Sequence, residues 1–218
     1  VKKGGAICFT GYSKADVTTP GGTDDRNKRH YGVLIAAHST EGPVEYYLDS
    51  LLVEIDGDGF VTTPPLYRDD DIRREARRWV CKIRPYTGQA GQTTDALWLD
   101  VFPEITADHD FAGLSYVALY AAAVADDHFA RTYPQGREWA LSCVWDMSDQ
   151  VYDPRDDSTG WSDNAALIIA SEAAHFGKTV DWDEVADQAD ICDQIVSNAD
   201  GGTQKRWTIN GVFDDSQS

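Results

Sequence analysis

The sequence changes its character near residue 135, and this change is the strongest constraint on the fold. Before it, short apolar segments alternate with turns that contain Gly, Pro and Asp, which is typical of β-strands. After it, apolar residues recur at helical spacing in two segments that carry helix-start and helix-stop signals. The sequence therefore predicts an α+β fold. A β-rich domain with barrel-like or sandwich strands covers residues 1–135, and a domain with two helices and a β-hairpin covers residues 136–218.

The two helices are defined by their ends. Ser162 is the predicted N-cap of the first helix, which extends to Phe176 and stops at Gly177. This helix is apolar almost all round, so it is expected to be buried. Asp181 is the predicted N-cap of the second helix, whose apolar residues continue at helical spacing to Val196 while Asp residues occupy the opposite face.

Two further segments can be assigned from local pattern. A short helix is predicted over residues 95–101. Residues 113–124 are rich in Ala, which favours a helix, but their alternating β-branched residues and Tyr favour a buried strand, and we predict the strand.

Charge limits the classes of partner. The formal net charge of −18 disfavours general binding to nucleic acid, which requires cations that neutralise phosphates. No apolar stretch is long enough for a membrane span. Between residues 146 and 200 there are 14 Asp and Glu but only Arg155 and Lys178 as cations. This region is predicted to be a solvated acidic face, with a surface for a basic partner as the alternative.

The four cysteines are far apart in the chain. They are Cys8, Cys81, Cys143 and Cys192, with no CxxC pair that would indicate zinc. Their apolar neighbours favour buried free thiols and a reducing compartment, with two disulfides as the alternative.

One segment has the spacing of a calcium loop. Glu54, Asp56 and Asp58 fall at the first, third and fifth positions of such a loop, but Pro65 stands where a bidentate Glu is needed. A hairpin turn over residues 56–59 explains the same residues without a metal. We therefore predict neither a metal site nor a cofactor.

The common catalytic motifs are absent from the sequence. The histidines form no HExxH pair, and residues 11–15 lack the second Gly of a nucleophile elbow. The glycines at 201–202 follow a helix and precede a strand, the reverse of the order in a phosphate-binding loop, so they predict a helix stop and a turn. The prediction is that the chain is not an enzyme.

Several unusual stretches remain, and they occur in one order along the chain. They are Val151-Tyr-Asp-Pro-Arg155 with Gly160–Ile169, Ala189–Asp193 with Gly201–Gly211, Gly4–Phe9, Ile55–Thr62, and Asp108–Leu114. Together they resemble the tail-tip proteins of long-tailed phages and prophages, the lambda-like host-specificity or tip-attachment family. The resemblance spans nearly the whole chain. Residues 147–150 depart from it, because the family often has a basic, Gly-containing turn there.

The resemblance implies a structural role. Such proteins form a trimeric baseplate hub at the tail tip, contact other tail proteins, and carry host-receptor regions further along a longer chain. It implies a protein of the virion tail that is assembled in the bacterial cytoplasm, with no catalytic residues to carry over. The alternatives are a receptor- or glycan-binding module and, less favoured, an enzyme that degrades the cell wall.

The residues that carry the resemblance are expected to have folding roles. Asp153 is expected to bond the backbone two residues on in a turn, and Trp161 to pack on Ala166 as a hydrophobic staple. Asn210-Gly211 predicts a β-hairpin, after which the chain soon stops, so we expect a segment of a longer protein that is truncated at its C-terminus. The full set is Tyr152, Asp153, Pro154, Arg155, Trp161, Ser162, Asp163, Asn164, Asn210 and Gly211.

Overall fold

The computed structural model describes residues 2–4, 6–14, 18–19, 22–23, 27–64, 68–69, 78–122, 129–130, 132–210 and 212–213. The chain forms two compact units, one of Lys2–Trp145 together with Phe213 and one of Asp146–Val212. Their division lies later than residue 135, where the sequence predicts it, because residues that follow 135 still belong to the first unit. Among them, Leu141–Asp146 is a strand that pairs with Lys2–Gly4.

The elements of the first unit are mostly antiparallel strands. They are β1 (Lys2–Gly4), β2 (Ala6–Lys14), β3 (Thr18–Thr19), β4 (Gly22–Thr23), β5 (Asn27–Ala36), β6 (Gly42–Leu48), β7 (Leu51–Ile55), β8 (Val61–Thr63), β9 (Arg68–Asp69), β10 (Arg78–Trp79), β11 (Cys81–Thr87), α1 (Ala96–Val101), β12 (Ser115–Ala121) and β13 (Leu141–Asp146).

The second unit contains two longer helices and short hairpins. Its elements are β14 (Val151–Asp153), β15 (Ser158–Gly160), α2 (Ala165–His175), α3 (Trp182–Cys192), β16 (Ile195–Ser197) and β17 (Thr203–Lys205), and the last strand of the chain is β18 (Val212–Phe213). The predicted α+β class is confirmed: the protein is rich in β-strands and has a few helices.

Two sheets make up most of the first unit. One has the strand order β11-β12-β5-β2 and the other β18-β1-β13-β6-β7-β8, and neither closes into a barrel in the described part of the chain. The central strand β12 pairs with β11 on one side and β5 on the other, and six of its seven residues are buried. The strand predicted within residues 113–124 is confirmed here, because β-branched and aromatic side chains suit a strand that is packed on both faces.

The helix predicted over residues 95–101 is confirmed as α1. The Asp95 side chain caps it by accepting from the backbone N–H groups of Leu97 and Trp98. Trp98 stacks on Tyr116 with ring centroids 4.9 Å apart, which attaches α1 to the sheet. The cap and the stacking together stabilise a short helix that would be only marginally stable on its own.

Both long helices differ from their predictions in one respect. α2 is not buried all round: Leu167 and Ala170 are buried, but Ile169 and the C-cap residue Phe176 are exposed. α3 ends at Cys192 instead of continuing to Val196, because Ile195–Ser197 pairs as a strand with Thr203–Lys205. Apolar periodicity cannot by itself distinguish the last turn of a helix from the first residues of a short strand.

Candidate functional site

Several of the residues that carry the resemblance lie close together in the second unit, and the hairpin β14–β15 supplies the first of them. The Asp153 carboxylate accepts a hydrogen bond from the backbone N–H of Arg155 at 3.0 Å. This is the turn that the sequence predicts at Asp153-Pro154-Arg155. Because Asp153 also binds the Arg155 guanidinium, this turn fixes the position of the guanidinium near its partners from other parts of the chain.

The Arg155 guanidinium binds three carboxylates. Its Nε and Nη2 contact Asp153 at 2.9 Å and 2.7 Å, while its Nη1 contacts Asp190 and Asp193, each at 3.0 Å. A guanidinium has five donors in a fixed plane, so one side chain can serve several acids at once. Arg155 thereby attaches the 153–155 turn to the C-terminal end of α3.

Lys205 adds a second cation to the same group. Its Nζ lies 2.8 Å from Asp163 Oδ1 and 3.0 Å from Asp193 Oδ1. Asp193 is therefore shared by Arg155 and Lys205. We call this set of six side chains the ion cluster: Asp153, Arg155, Asp163, Asp190, Asp193 and Lys205.

The ion cluster changes the pKa values of Asp153, Arg155, Asp193 and Lys205. Hydrogen bonding from Arg155 lowers the pKa of Asp153. Desolvation by itself would raise the pKa of Asp193, but hydrogen bonds from Lys205 and Arg155 outweigh it and the pKa is lowered. Hydrogen bonds to Asp153 and Asp163 raise the pKa values of Arg155 and Lys205, respectively. All four groups are thus held in their charged forms near neutral pH.

Asn164 connects α2 to α3. Its Oδ1 accepts from the backbone N–H groups of Ala166 and Leu167, and its Nδ2 donates to the Ala189 carbonyl at 2.9 Å. Asn164 is therefore the N-cap of α2, and the prediction that Ser162 has this role is wrong. Ser162 Oγ instead accepts from the backbone N–H of Asn164. The two residues compete as caps in sequence, and the Asn164 amide satisfies both helices because its oxygen accepts from α2 while its nitrogen donates to α3.

The same change of cap removes the predicted hydrophobic staple. With Asn164 as the N-cap, the preceding residue is Asp163, so Trp161 no longer has the spacing to pair with Ala166. Trp161 is 45% exposed. The Asp163 carboxylate binds Lys205, and the Asp163 backbone carbonyl accepts a hydrogen bond from the N–H of Ile209.

Apolar contacts lie beneath the ion cluster. Val151, Leu167 and Ala189 form one buried group that joins β14, α2 and α3. Tyr152 packs edge-on against Trp182, with ring centroids 4.9 Å apart, and its backbone N–H donates to Ser171 Oγ. The cap of α3 is Asp181, as predicted, since its side chain accepts from the backbone N–H of Glu184.

The hairpin of this unit is not at Asn210-Gly211. β17 pairs with β16, across a turn that contains Gly201 with a φ of +86°, and β18 belongs to the sheet of β1. Asn210 is exposed, and Gly211 lies outside the described residues. The prediction of a turn at 201–202 is confirmed, although it joins two strands rather than ending a helix. Asn-Gly favours a hairpin only when the flanking segments can pair with each other.

The calcium candidate is a hairpin turn. Asp56 Oδ1 accepts from the backbone N–H groups of Asp58 and Phe60, at 3.0 Å and 2.9 Å. Glu54 lies in β7, which pairs with β8. Within the described ranges, no group of three or more His, Cys, Asp or Glu is arranged to hold a metal ion.

Sequence reasoning did not single out the buried acid of the first unit. The Asp95 side chain is fully buried, and its Oδ2 accepts from Tyr86 Oη at 2.7 Å and lies 3.3 Å from Arg84 Nε. Beside it, burial lowers the pKa of His30 to about 4. The only local signal was that Asp95 precedes an apolar helical segment, which indicates its capping role but not its burial.

The prediction of buried free thiols is confirmed for Cys81, Cys143 and Cys192, and the side chain of Cys8 lies outside the described part of the structure. Burial raises the pKa of the Cys81 thiol, so this thiol stays protonated. Of the helices described, none has the length and apolarity that crossing a membrane requires.

Comparisons with known proteins add no family assignment. No protein-family model matches the chain, and no curated protein matches it.

Proposed function

We propose that this chain is a structural component of a phage or prophage tail tip. In this role it forms part of the baseplate hub, assembles with other tail proteins and supports host attachment. The main support is the ion cluster, in which Arg155 from one resembling stretch binds Asp190 and Asp193 from the other. Residues from two of the stretches that carry the resemblance thus bind each other, which is typical of a structural role.

The proposed role is architectural rather than catalytic. General acid–base catalysis needs a carboxylate that can reach a substrate proton. The Asp95 side chain is fully buried and caps α1, while Asp153 and Asp193 are held by the cations of the ion cluster. These acids therefore have folding roles that account for their positions.

The proposal includes a homotrimer in the full-length protein and a location in the virion tail. Light scattering on the full-length protein should give the mass of three chains, and a monomer would contradict the hub. Gold-labelled antibodies against this chain should decorate tail tips in electron micrographs of particles from the producing host. Label on capsids, or no labelled particles in a lysate that contains intact tails, would also overturn the proposal.

A receptor- or glycan-binding module is the second candidate, and two exposed indoles favour it. Trp161 and Trp207 are 45% and 62% exposed. Exposed aromatic faces are used to hold apolar faces of ligands. Purified host surface polysaccharide should then quench Trp fluorescence, and Trp207→Ala should weaken the binding about tenfold. Equal binding by wild type and variant would reject this candidate and leave the trimer test unaffected.

A further inference from the structure

We propose that the outward face of α2 is a docking surface for a basic amphipathic helix of a partner protein. Phe176 is the C-cap that directly follows α2, and it lies seven residues after Ile169, which is about two helical turns, so the two residues lie on the same side. They are 63% and 74% exposed. Leu167, on the other side, is buried with Val151 and Ala189. The helix thus has two apolar faces, and this chain covers one of them.

The shape of the outward face suits another helix. Ala165 and Ala173 are four residues from Ile169 on either side, and both are only partly buried. Small residues one turn away from a large one leave grooves that accept the side-chain ridges of a packed helix. An amphipathic helix that binds through anchors spaced one turn apart has this geometry.

The charge of the surroundings selects a basic partner. Residues 146–210 contain 14 Asp and Glu against four Lys and Arg. Two of those four, Arg155 and Lys205, are already bound to carboxylates of the ion cluster. On the face itself, Glu172 is exposed between Ile169 and Phe176.

Neighbouring groups add to this negative field. α3 packs on α2 and exposes three carboxylates that lie outside the ion cluster, those of Asp183, Glu184 and Asp187. Basic side chains close to this face in sequence are His175, in the last turn of α2, and Lys178, which follows Phe176 by two residues. A second copy of this acidic unit would meet like charge, so a partner helix with Lys or Arg along its edges fits better.

The test uses a designed peptide as the probe. A peptide of about 18 residues, long enough to form a helix, carries Leu on one face and Lys on the other. Its fluorescence anisotropy is measured with the purified chain at about 0.15 M salt, where charge interactions are screened within about 8 Å. We expect binding that Ile169→Ser with Phe176→Ser weakens tenfold or more, because two large apolar contacts are lost.

Matched controls distinguish specific binding to this surface from nonspecific binding of the peptide. Ile195 is 67% exposed but lies on β16, so Ile195→Ser should leave binding unchanged. A peptide with Glu in place of Lys should not bind, and polylysine should bind at least tenfold more weakly. Because the altered residues are exposed, thermal unfolding should confirm that the variants are folded. Equal binding by the Glu peptide or by polylysine, or equal loss in Ile195→Ser, would overturn the proposal.

Discussion

Arg155 and Asp193 are 38 residues apart in the chain, yet Arg155 Nη1 donates to Asp193 Oδ2 at 3.0 Å. Asp193 follows the last residue of α3, and Arg155 lies in the turn between β14 and β15. Because Lys205 also binds Asp193, one carboxylate joins three parts of the second unit. The unit therefore depends on charge pairing as well as on its small apolar core.

Replacing Arg155 should destabilise the second unit. Arg155→Ala leaves three carboxylates near one another without their shared cation, and we expect a loss of about 1–2 kcal/mol in the free energy of unfolding. Arg155→Lys should recover only part of it, since an ammonium cannot reproduce the planar fork. Urea unfolding monitored by circular dichroism measures both. Lys178→Ala removes an exposed cation outside the ion cluster, and an equal effect there would contradict a specific role for Arg155.

Acid should weaken the second unit through Asp153 and Asp193. Their pKa values in the folded protein are lowered from the ordinary value of 3.8, so they bind protons more weakly folded than unfolded. Their contribution to stability is therefore complete above pH 3.8 and is lost as pH falls through the folded pKa values. Thermal unfolding between pH 6 and about pH 2.5 should show this decline. The decline should be shallower in Asp193→Asn, and identical curves would show that Asp193 contributes no such linkage.

Asn164 should be more important than Ser162 at the start of α2. Asn164→Ala removes the cap and leaves the Ala189 carbonyl without its donor, which should cost about 2–3 kcal/mol. Asn164→Asp keeps the cap but not the donor and should have an intermediate effect. Ser162→Ala should cost less than about 1 kcal/mol. A larger loss for Ser162→Ala than for Asn164→Ala, in chemical denaturation, would restore Ser162 as the cap.

Gly59 should not tolerate a side chain, whereas nearby Gly57 should. Gly59 has a φ of +85°, and a Cβ there would lie 2.6 Å from the Ile83 carbonyl oxygen. That oxygen belongs to the backbone of β11 and cannot move freely, so Gly59→Ala should cost about 2–4 kcal/mol. A Cβ on Gly57 meets nothing within 4 Å, which makes Gly57→Ala the matched control. Equal melting temperatures for the two variants would contradict the close approach of Gly59, in the turn before β8, to β11.

Calcium should not stabilise the turn at Asp56. The Asp56 carboxylate already accepts from the backbone, so its role is to hold the turn. We expect the melting temperature to be the same with added Ca²⁺ and with a chelator. Asp56→Asn should keep the turn, and Asp56→Ala should cost about 1 kcal/mol. A rise in melting temperature with Ca²⁺ that is lost in Asp56→Asn would instead indicate a site.

The predictions that succeeded depend on interactions between residues close in the chain. The Asp181 cap, the turn at Asp153 and the strand β12 follow from capping, side-chain bonding to nearby backbone, and alternation. The Asn210-Gly211 hairpin failed because a hairpin also requires its two flanks to pair, and β17 pairs with β16 instead. Local preference is a weak constraint when a competing partner lies within reach.

By itself, the sequence determined the α+β class, the presence of both long helices, and the acidic character of the second unit. Only the tertiary structure decided which face of α2 is covered and which carboxylates Arg155 binds. The physical reason is that periodicity and capping act over a few residues, whereas burial and ion pairing depend on distances between segments far apart in the chain. Leu167 and Ile169 are alike in sequence terms, and only the position of α3 and β14 makes one of them core and the other surface.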